Sequence, residues 1–134
     1  MKYTKTIKTN GAIEIRDNKE NKIWEKYPDG DIFEYKYDKK GNRIWEKYPN
    51  EEIYEYKYDE KGNKIWHKYP NGNIWEWKYD EKENLLWKKY PNGDIYEWKY
   101  DDNRNMIWEK YPSGTIKYFQ NVIETSNNLE DLKK

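Results

Sequence analysis

The sequence predicts an all-β fold, an antiparallel meander of about twelve strands in one curled or strongly twisted sheet. Three observations carry this. An Ile-Trp or Leu-Trp pair recurs every 21 residues, at Trp24, Trp45, Trp66, Trp87 and Trp108, each followed three residues later by Tyr-Pro. Each unit holds two runs of β-forming residues separated by turn chemistry. Aliphatic residues are too few for an ordinary core: hydrophobic residues make up 34% of the chain and aromatics alone 19% of it.

The unit from Asn21 to Gly41 shows the elements in order. Lys22-Ile23-Trp24-Glu25-Lys26-Tyr27 reads as a strand. Pro28-Asp29-Gly30 is a three-residue hairpin loop, with proline presetting φ and glycine supplying the left-handed residue. Ile32-Phe33-Glu34-Tyr35-Lys36-Tyr37 is the returning strand, and Asp38-Lys39-Lys40-Gly41 turns the chain again. Glu83 and Arg104 stand where Gly41 and Gly62 predict glycine. A degenerate cap over 1–20, regular repeats over 21–112 and a closing strand over 115–123 make one domain, 1–125. The polar tail, 126–134, is either frayed or a short helix.

An odd period constrains the register. Two loops of equal parity would swap the sheet faces at every repeat. The second loop must therefore have even length or carry a bulge. A four-residue Asp-x-x-Gly loop meets this and places Tyr35 against Ile44. One face then carries a central row running Ile23, Tyr35, Ile44, Tyr56, Ile65, Trp77, Leu86, Trp98 and Ile107. The other carries a row alternating Trp24, Glu34, Trp45 and Glu55, beside one alternating lysine with isoleucine. Lys22, Lys36, Lys57, Lys64, Lys78, Lys99 and Arg43 line the edge of that second face. Aromatic rings this numerous exceed the apolar patch a monomer leaves wet, so the first face is expected to be covered by curling, self-association or a partner.

The repeats resemble the YD, or RHS, family. The resemblance rests on Tyr37-Asp38-Lys39-Lys40-Gly41-Asn42, Tyr58-Asp59-Glu60-Lys61-Gly62-Asn63 and Pro70-Asn71-Gly72, and spans roughly residues 21–120. It implies a spiral of β-hairpins. In large members it implies shells around toxins or cell-surface placement, with carbohydrate binding often inferred. A weaker resemblance is to MORN-type hairpin repeats, whose glycine pattern is missing here.

The chemistry is sparse. There is no cysteine, and His67 is the single histidine, so nucleophile–base pairs are unavailable and no enzyme activity is expected. His67 occupies a slot filled elsewhere by Glu25, Glu46, Lys88 and Glu109, and reads as a solvated surface residue. Glu34, Glu55, Glu76 and Glu97 read as charge-pairing ladder residues. Asp29-Gly30-Asp31 lacks the oxygens a calcium loop needs, so neither metal nor cofactor is expected. A net charge of zero argues against bulk attraction to nucleic acid or membrane. Heavy use of Lys, Asn, Ile, Tyr and Glu is what AT-rich coding produces and suggests a low-GC bacterium or its phage. The N-terminus shows no signal-like apolar stretch, which points to the cytoplasm.

These features favour a non-catalytic protein-binding role, such as a small inhibitor, antitoxin or immunity protein. Carbohydrate binding and single-stranded nucleic acid binding are the alternatives. The candidate partner-binding residues are Trp45, Trp66, Trp87, Trp75, Trp77, Trp98, Tyr56 and Tyr96. Self-association through exposed sheet edges is a further expectation.

Overall fold

The computed structural model describes residues 2–134. Twelve strands are hydrogen-bonded in sequence order, with β1 and β12 at the edges. They are β1 (Thr4–Ile7), β2 (Ile13–Arg16), β3 (Lys22–Lys26), β4 (Ile32–Tyr37), β5 (Arg43–Lys47) and β6 (Ile53–Tyr58). Then come β7 (Lys64–Lys68), β8 (Ile74–Tyr79), β9 (Leu85–Lys89), β10 (Ile95–Tyr100), β11 (Met106–Lys110) and β12 (Ile116–Tyr118). One helical turn, α1 (Leu129–Leu132), is capped by the Asn128 side chain accepting from the Glu130 amide. Contacts divide the chain into two units, Met1–Trp77 and Lys78–Lys134.

Every turn between strands has one geometry. The Tyr27 amide donates to the Asp31 carbonyl at 2.9 Å and the Gly30 amide to the Tyr27 carbonyl at 2.9 Å. The aspartate turn repeats this, with Asp38 N–H to Asn42 O at 2.9 Å and Gly41 N–H to Asp38 O at 3.1 Å. The aspartate loop therefore has three residues, not four. Its side chain explains the motif: Asp38 Oδ1 accepts from the amides of Lys40 and Asn42 at 2.9 Å each, and Asn42 Nδ2 donates to Oδ2 at 3.1 Å. The same clasp recurs at Asp59 with Asn63 and at Asp80 with Asn84.

Two odd loops would invert the faces, and a bulge restores them. Lys36 pairs with Trp45 but Tyr37 pairs with Arg43, so Ile44 is the extra residue. Ile23, Ile65 and Ile107 hold the equivalent place. This corrects the register by two positions: Tyr35 faces Glu46 rather than Ile44. Across the proline loop the expected pairing holds, with Trp24 opposite Glu34 and Lys26 opposite Ile32.

The bulge also redistributes side chains. Arg43 lies on the tyrosine face, its guanidinium 4.1 Å from the Tyr35 ring centroid and bonded to the Tyr37 hydroxyl at 3.2 Å. Lys22 reaches Glu25 at 2.9 Å and Lys64 sits 4.6 Å from the Tyr56 ring centroid, so all three leave the tryptophan face. Ile23 joins Trp24, Glu34, Lys36 and Trp45 around one groove. Ile44 lines its 21-residue counterpart with Trp45, Lys57, Ile65 and Trp66. The central isoleucine–tyrosine row expected on the first face is thus replaced. Its pairs are Tyr35 with Glu46, Tyr56 with His67, and Trp98 with Glu109.

Among the described residues Ala12 is the one buried hydrophobe, and Glu14 and Glu25 are buried as ions, each 6% exposed. Lys8 and Lys22 clamp Glu14, and together with Arg16 they satisfy it. The Lys8 ammonium foremost, with Lys22, holds the Glu14 pKa down to about 2 against the upward push of burial.

Two predictions follow from the turns and the bulge. Deleting Ile44 would leave two odd loops uncorrected and put every later side chain on the wrong face. The variant is expected to lose the cooperative thermal transition and the dispersed amide NMR spectrum of the native chain, while Ile44→Val keeps both. Glu83 and Arg104 adopt φ of 67° and 66°, as do Glu20 at 65° and Glu51 at 69°. Glu83→Gly and Arg104→Gly should each stabilise the fold by about 1 kcal/mol in urea denaturation, because glycine carries no left-handed penalty.

Candidate functional site

The eight candidate aromatic residues do not form one site. Trp45, Trp66 and Trp87 lie on one sheet face, and Tyr56, Trp75, Trp77, Tyr96 and Trp98 on the other. The tryptophan face is largely satisfied internally. Lys36 Nζ lies 4.6 Å from the Trp45 ring centroid, Lys57 4.6 Å from Trp66 and Lys78 4.5 Å from Trp87. Each lysine is the cross-strand partner of its tryptophan where the register is defined, as in Lys36–Trp45 and Lys57–Trp66. The expected glutamate ladder is present beside them. Glu34 pairs with Lys47 at 3.9 Å, Glu55 with Lys68 at 3.8 Å and Glu97 with Lys110 at 3.7 Å. Exposed pairs at these distances contribute little individually.

The opposite face carries a continuous chain of edge-to-face rings beside the proline turns. In the first unit it runs Tyr27–Phe33 at 5.8 Å, Phe33–Tyr48 at 5.6 Å, Tyr48–Tyr54 at 5.2 Å and Tyr54–Tyr69 at 5.8 Å. Within the second unit Tyr90–Tyr96 at 5.4 Å and Tyr96–Tyr111 at 5.8 Å repeat the pattern. The bulge-corrected register generates it, because Phe33 is opposite Glu25 on one side and two residues from Glu46, next to Tyr48, on the other. Each ring pair adds about 0.5–1.5 kcal/mol beyond area burial. Tyr27, Phe33, Tyr48, Tyr54 and Tyr69 lie outside the sequence-derived candidate set; for Tyr27, Tyr48 and Tyr69 the signal is the periodic Tyr-Pro step, and for Phe33 and Tyr54 the aromatic that follows the first isoleucine of each returning strand.

A second row on this face is polar and aromatic together. Tyr35 donates to Glu25 at 2.8 Å, and both Tyr48 and Tyr56 donate to Glu46, at 2.9 and 3.4 Å. Arg43 Nη1 adds a 3.0 Å bond to Glu46. Burial first, then the Glu25 carboxylate, pushes the Tyr35 hydroxyl well above its usual range, so it stays a neutral donor. Trp75 and Trp77 lie nearly parallel, 13° apart with centroids at 6.4 Å, and Tyr96 and Trp98 are 16° apart at 6.1 Å. These are the separations of alternate residues along a strand.

His67 departs from the solvated position expected of it. It stacks on Tyr69 at 4.2 Å, lies 4.5 Å from Tyr56, and its Nε2 is buried without a hydrogen-bond partner. Burial, then the nearby Lys64 ammonium, lowers its pKa. The slot that elsewhere takes glutamate thus lies inside the aromatic face.

The covering expected of this face is not supplied by the chain itself: its rings are half-buried or exposed, Tyr27 at 38% and Tyr48 at 37%. Among the described residues no group of three His, Cys, Asp or Glu side chains could hold a metal ion. Nor is any described helix long and apolar enough to cross a membrane.

The comparisons with known proteins agree with the repeat architecture. No protein-family model matches the sequence, and no curated protein matches it. Solved structures do. A TcdB2-TccC3-TEV toxin structure matches with a TM-score of 0.55 at 18% identity, over 75% of this chain and 5% of its own. The Photorhabdus luminescens Tc holotoxin pore matches with the same four values, and TcdB2-TccC3 with a TM-score of 0.54. The chain therefore corresponds to a small part of each neighbour. At this identity the likeness is one of fold, that of a YD/RHS-like hairpin repeat.

The aspartate clasps predict a pH dependence. At Asp38, Asp59 and Asp80 burial raises the pKa, but the amides of the clasp outweigh it and hold the carboxyls below their usual range. At Asp101 the Gln120 side chain, bonded at 2.9 Å, does so first. A depressed folded-state pKa adds stability above the unfolded aspartate value of about 3.9, and that stability is lost as pH falls through the folded value. Glu14 acts in the same direction. Melting temperature is expected to drop steeply below about pH 4, and an Asp38→Asn/Asp59→Asn/Asp80→Asn variant should lose part of that slope in thermal melts from pH 2 to 7.

Proposed function

We propose that the chain is a non-catalytic protein-binding module that uses its tyrosine-rich face, in the manner of a small cytoplasmic bacterial or phage inhibitor, antitoxin or immunity protein. The observation that carries this reading is the accessible ring chain from Tyr27 to Tyr69, ordered edge to face without a covering layer. Tyrosine offers large, rigid and amphipathic contact area at small entropic cost, which is why it dominates protein-binding surfaces. The lysine-capped tryptophans favour this face over the other, since one side of Trp45, Trp66 and Trp87 is already occupied by a cation. That occupancy weakens the carbohydrate and single-stranded nucleic acid readings, both of which need free ring faces.

The test is affinity capture from the source cells with three baits: the native chain, a Tyr54→Ser/Trp75→Ser variant and a Trp66→Ser variant, each checked for folding by circular dichroism. A protein retained by the native chain and by Trp66→Ser, but lost or weakened at least about tenfold with Tyr54→Ser/Trp75→Ser, is the expected result. Equal capture by all three baits sinks the reading. So does saturable quenching of tryptophan fluorescence by oligosaccharides or oligonucleotides with no retained protein.

A further inference from the structure

The ring chain of the first unit has a repeat length and a charged border that together select a kind of protein segment. We infer that the Tyr27–Tyr69 strip binds a basic, proline-rich segment in the polyproline II conformation, running across the strands with one ligand turn per hairpin. This rests on the protein-binding reading above and specifies its partner.

The first argument is spacing. Strands lie about 4.8 Å apart, so one hairpin advances the strip by about 9.6 Å. A polyproline II helix advances about 3.1 Å per residue with three residues per turn, or about 9.3 Å per turn. Over the two hairpins from Tyr27 to Tyr69 the mismatch stays under about 1 Å. Every third ligand residue therefore meets an equivalent ring pair: Tyr27 with Phe33, then Tyr48 with Tyr54. The rings of each pair stand 80° and 72° apart, so each pair presents the face of one ring and the edge of the other. Aromatic-lined grooves are what proline-rich segments dock into, and such a segment is already extended and so loses little entropy on binding.

The second argument is hydrogen bonding. A polyproline II backbone has no internal hydrogen bonds, and its carbonyls need donors. The hydroxyls of Tyr27, Tyr54 and Tyr69 make no hydrogen bond among the described residues, whereas Tyr48 is committed to Glu46. Free phenol donors thus lie on both sides of the one fixed at Tyr48.

The third argument is charge. Asp31 closes its loop opposite Tyr27, and Glu52 closes the next opposite Tyr48, each accepting the tyrosine amide at 2.9 Å. Both acids are exposed, and neither makes an ion pair among the described residues. They repeat with the rings, at the border of the strip. A ligand with arginine or lysine once per turn would set a cation beside each of them. At the third position Asn73 replaces the acid, which limits the charged register to two turns.

The probe is a fluorescein-labelled (Pro-Pro-Arg)4 peptide titrated with the full chain and read by anisotropy, beside (Gly-Ser-Arg)4 and (Pro-Pro-Glu)4. The expected result is saturable binding of (Pro-Pro-Arg)4, about tenfold tighter than either control. Tyr54→Leu should weaken it about tenfold, and Asp31→Asn/Glu52→Gln, which alters only exposed loop positions, should abolish the preference for arginine over glutamate. Equal binding of (Pro-Pro-Arg)4 and (Gly-Ser-Arg)4 would show charge attraction alone and overturn the inference. It is equally overturned if the folded chain ignores (Pro-Pro-Arg)4, or binds it unchanged after Tyr54→Leu. Should the captured partner of the preceding section still depend on Tyr54 and Trp75 in that event, protein binding stands and the polyproline assignment alone falls.

Discussion

One backbone feature sets everything else in this protein: the extra residue at Ile23, Ile44, Ile65 and Ile107. Both turns of the repeat contain three residues, so each hairpin taken alone would hand the next one an inverted face. The bulge adds one residue on one strand only, and side chains return to phase. Because it falls immediately before the tryptophan, it fixes the ring's side of the sheet as well as its cross-strand lysine. The residue before the isoleucine is moved to the other side, which is why Arg43 stacks on Tyr35 instead of joining the tryptophans. A motif that looks like a hydrophobic pair in sequence is in structure a device for keeping phase.

With the faces in phase, the sheet can do without a core. Burial in the usual sense is nearly absent, and the buried ions Glu14 and Glu25 are held by lysines and a tyrosine hydroxyl. Stability comes instead from neighbour-to-neighbour terms repeated along the chain: ring on ring, lysine over tryptophan, and aspartate clasping its own turn. Each is of order 1 kcal/mol or less. Such terms add along a linear array, so no single hairpin is indispensable and none is stable alone. Loops also touch their successors, as when Lys40 Nζ donates to the Glu60 carbonyl at 2.9 Å and Lys82 Nζ to that of Asp102 at 2.9 Å.

Much of this was legible in the sequence. Strand number, the meander order, the Pro-x-Gly turns and the pairing of Trp24 with Glu34 follow from period and turn chemistry. An odd period demands either an even loop or a bulge, and the bulge is what forms. Asp-Lys-Lys-Gly suits a four-residue loop as well as a three-residue loop closed by Asn42, so the residues of the loop do not decide between them. The missing cue was Asn42 itself, which returns an amide bond to Asp38 and so belongs to the turn. That two-residue error in register placed Ile44 in a tyrosine row and left Arg43 and Lys64 among the tryptophans. It also hid the ring chain, since Phe33 and Tyr48 become neighbours only in the corrected pairing. The left-handed turn position was read as glycine-dependent, yet Glu20, Glu51, Glu83 and Arg104 occupy it, because the clasp and the closing bonds outweigh the local strain.

The repeats are not interchangeable on the tyrosine face, and the differences are coupled. Glu25 goes with Tyr35 and Glu46 with Tyr56, a carboxylate accepting from a phenol. Where the acid is lost the hydroxyl is lost too: His67 goes with Trp77, and Lys88 with Trp98. A tyrosine in those slots would find no carboxylate to accept from its hydroxyl, and the bond that Tyr35 and Tyr56 make would be missing. The matched replacement keeps the surface aromatic while removing the acid and the hydroxyl together, leaving an imidazole with an indole in one repeat and an ammonium with an indole in the next. The substitutions are therefore paired along the chain, each loss of an acceptor carboxylate going with the loss of the donor hydroxyl ten residues on.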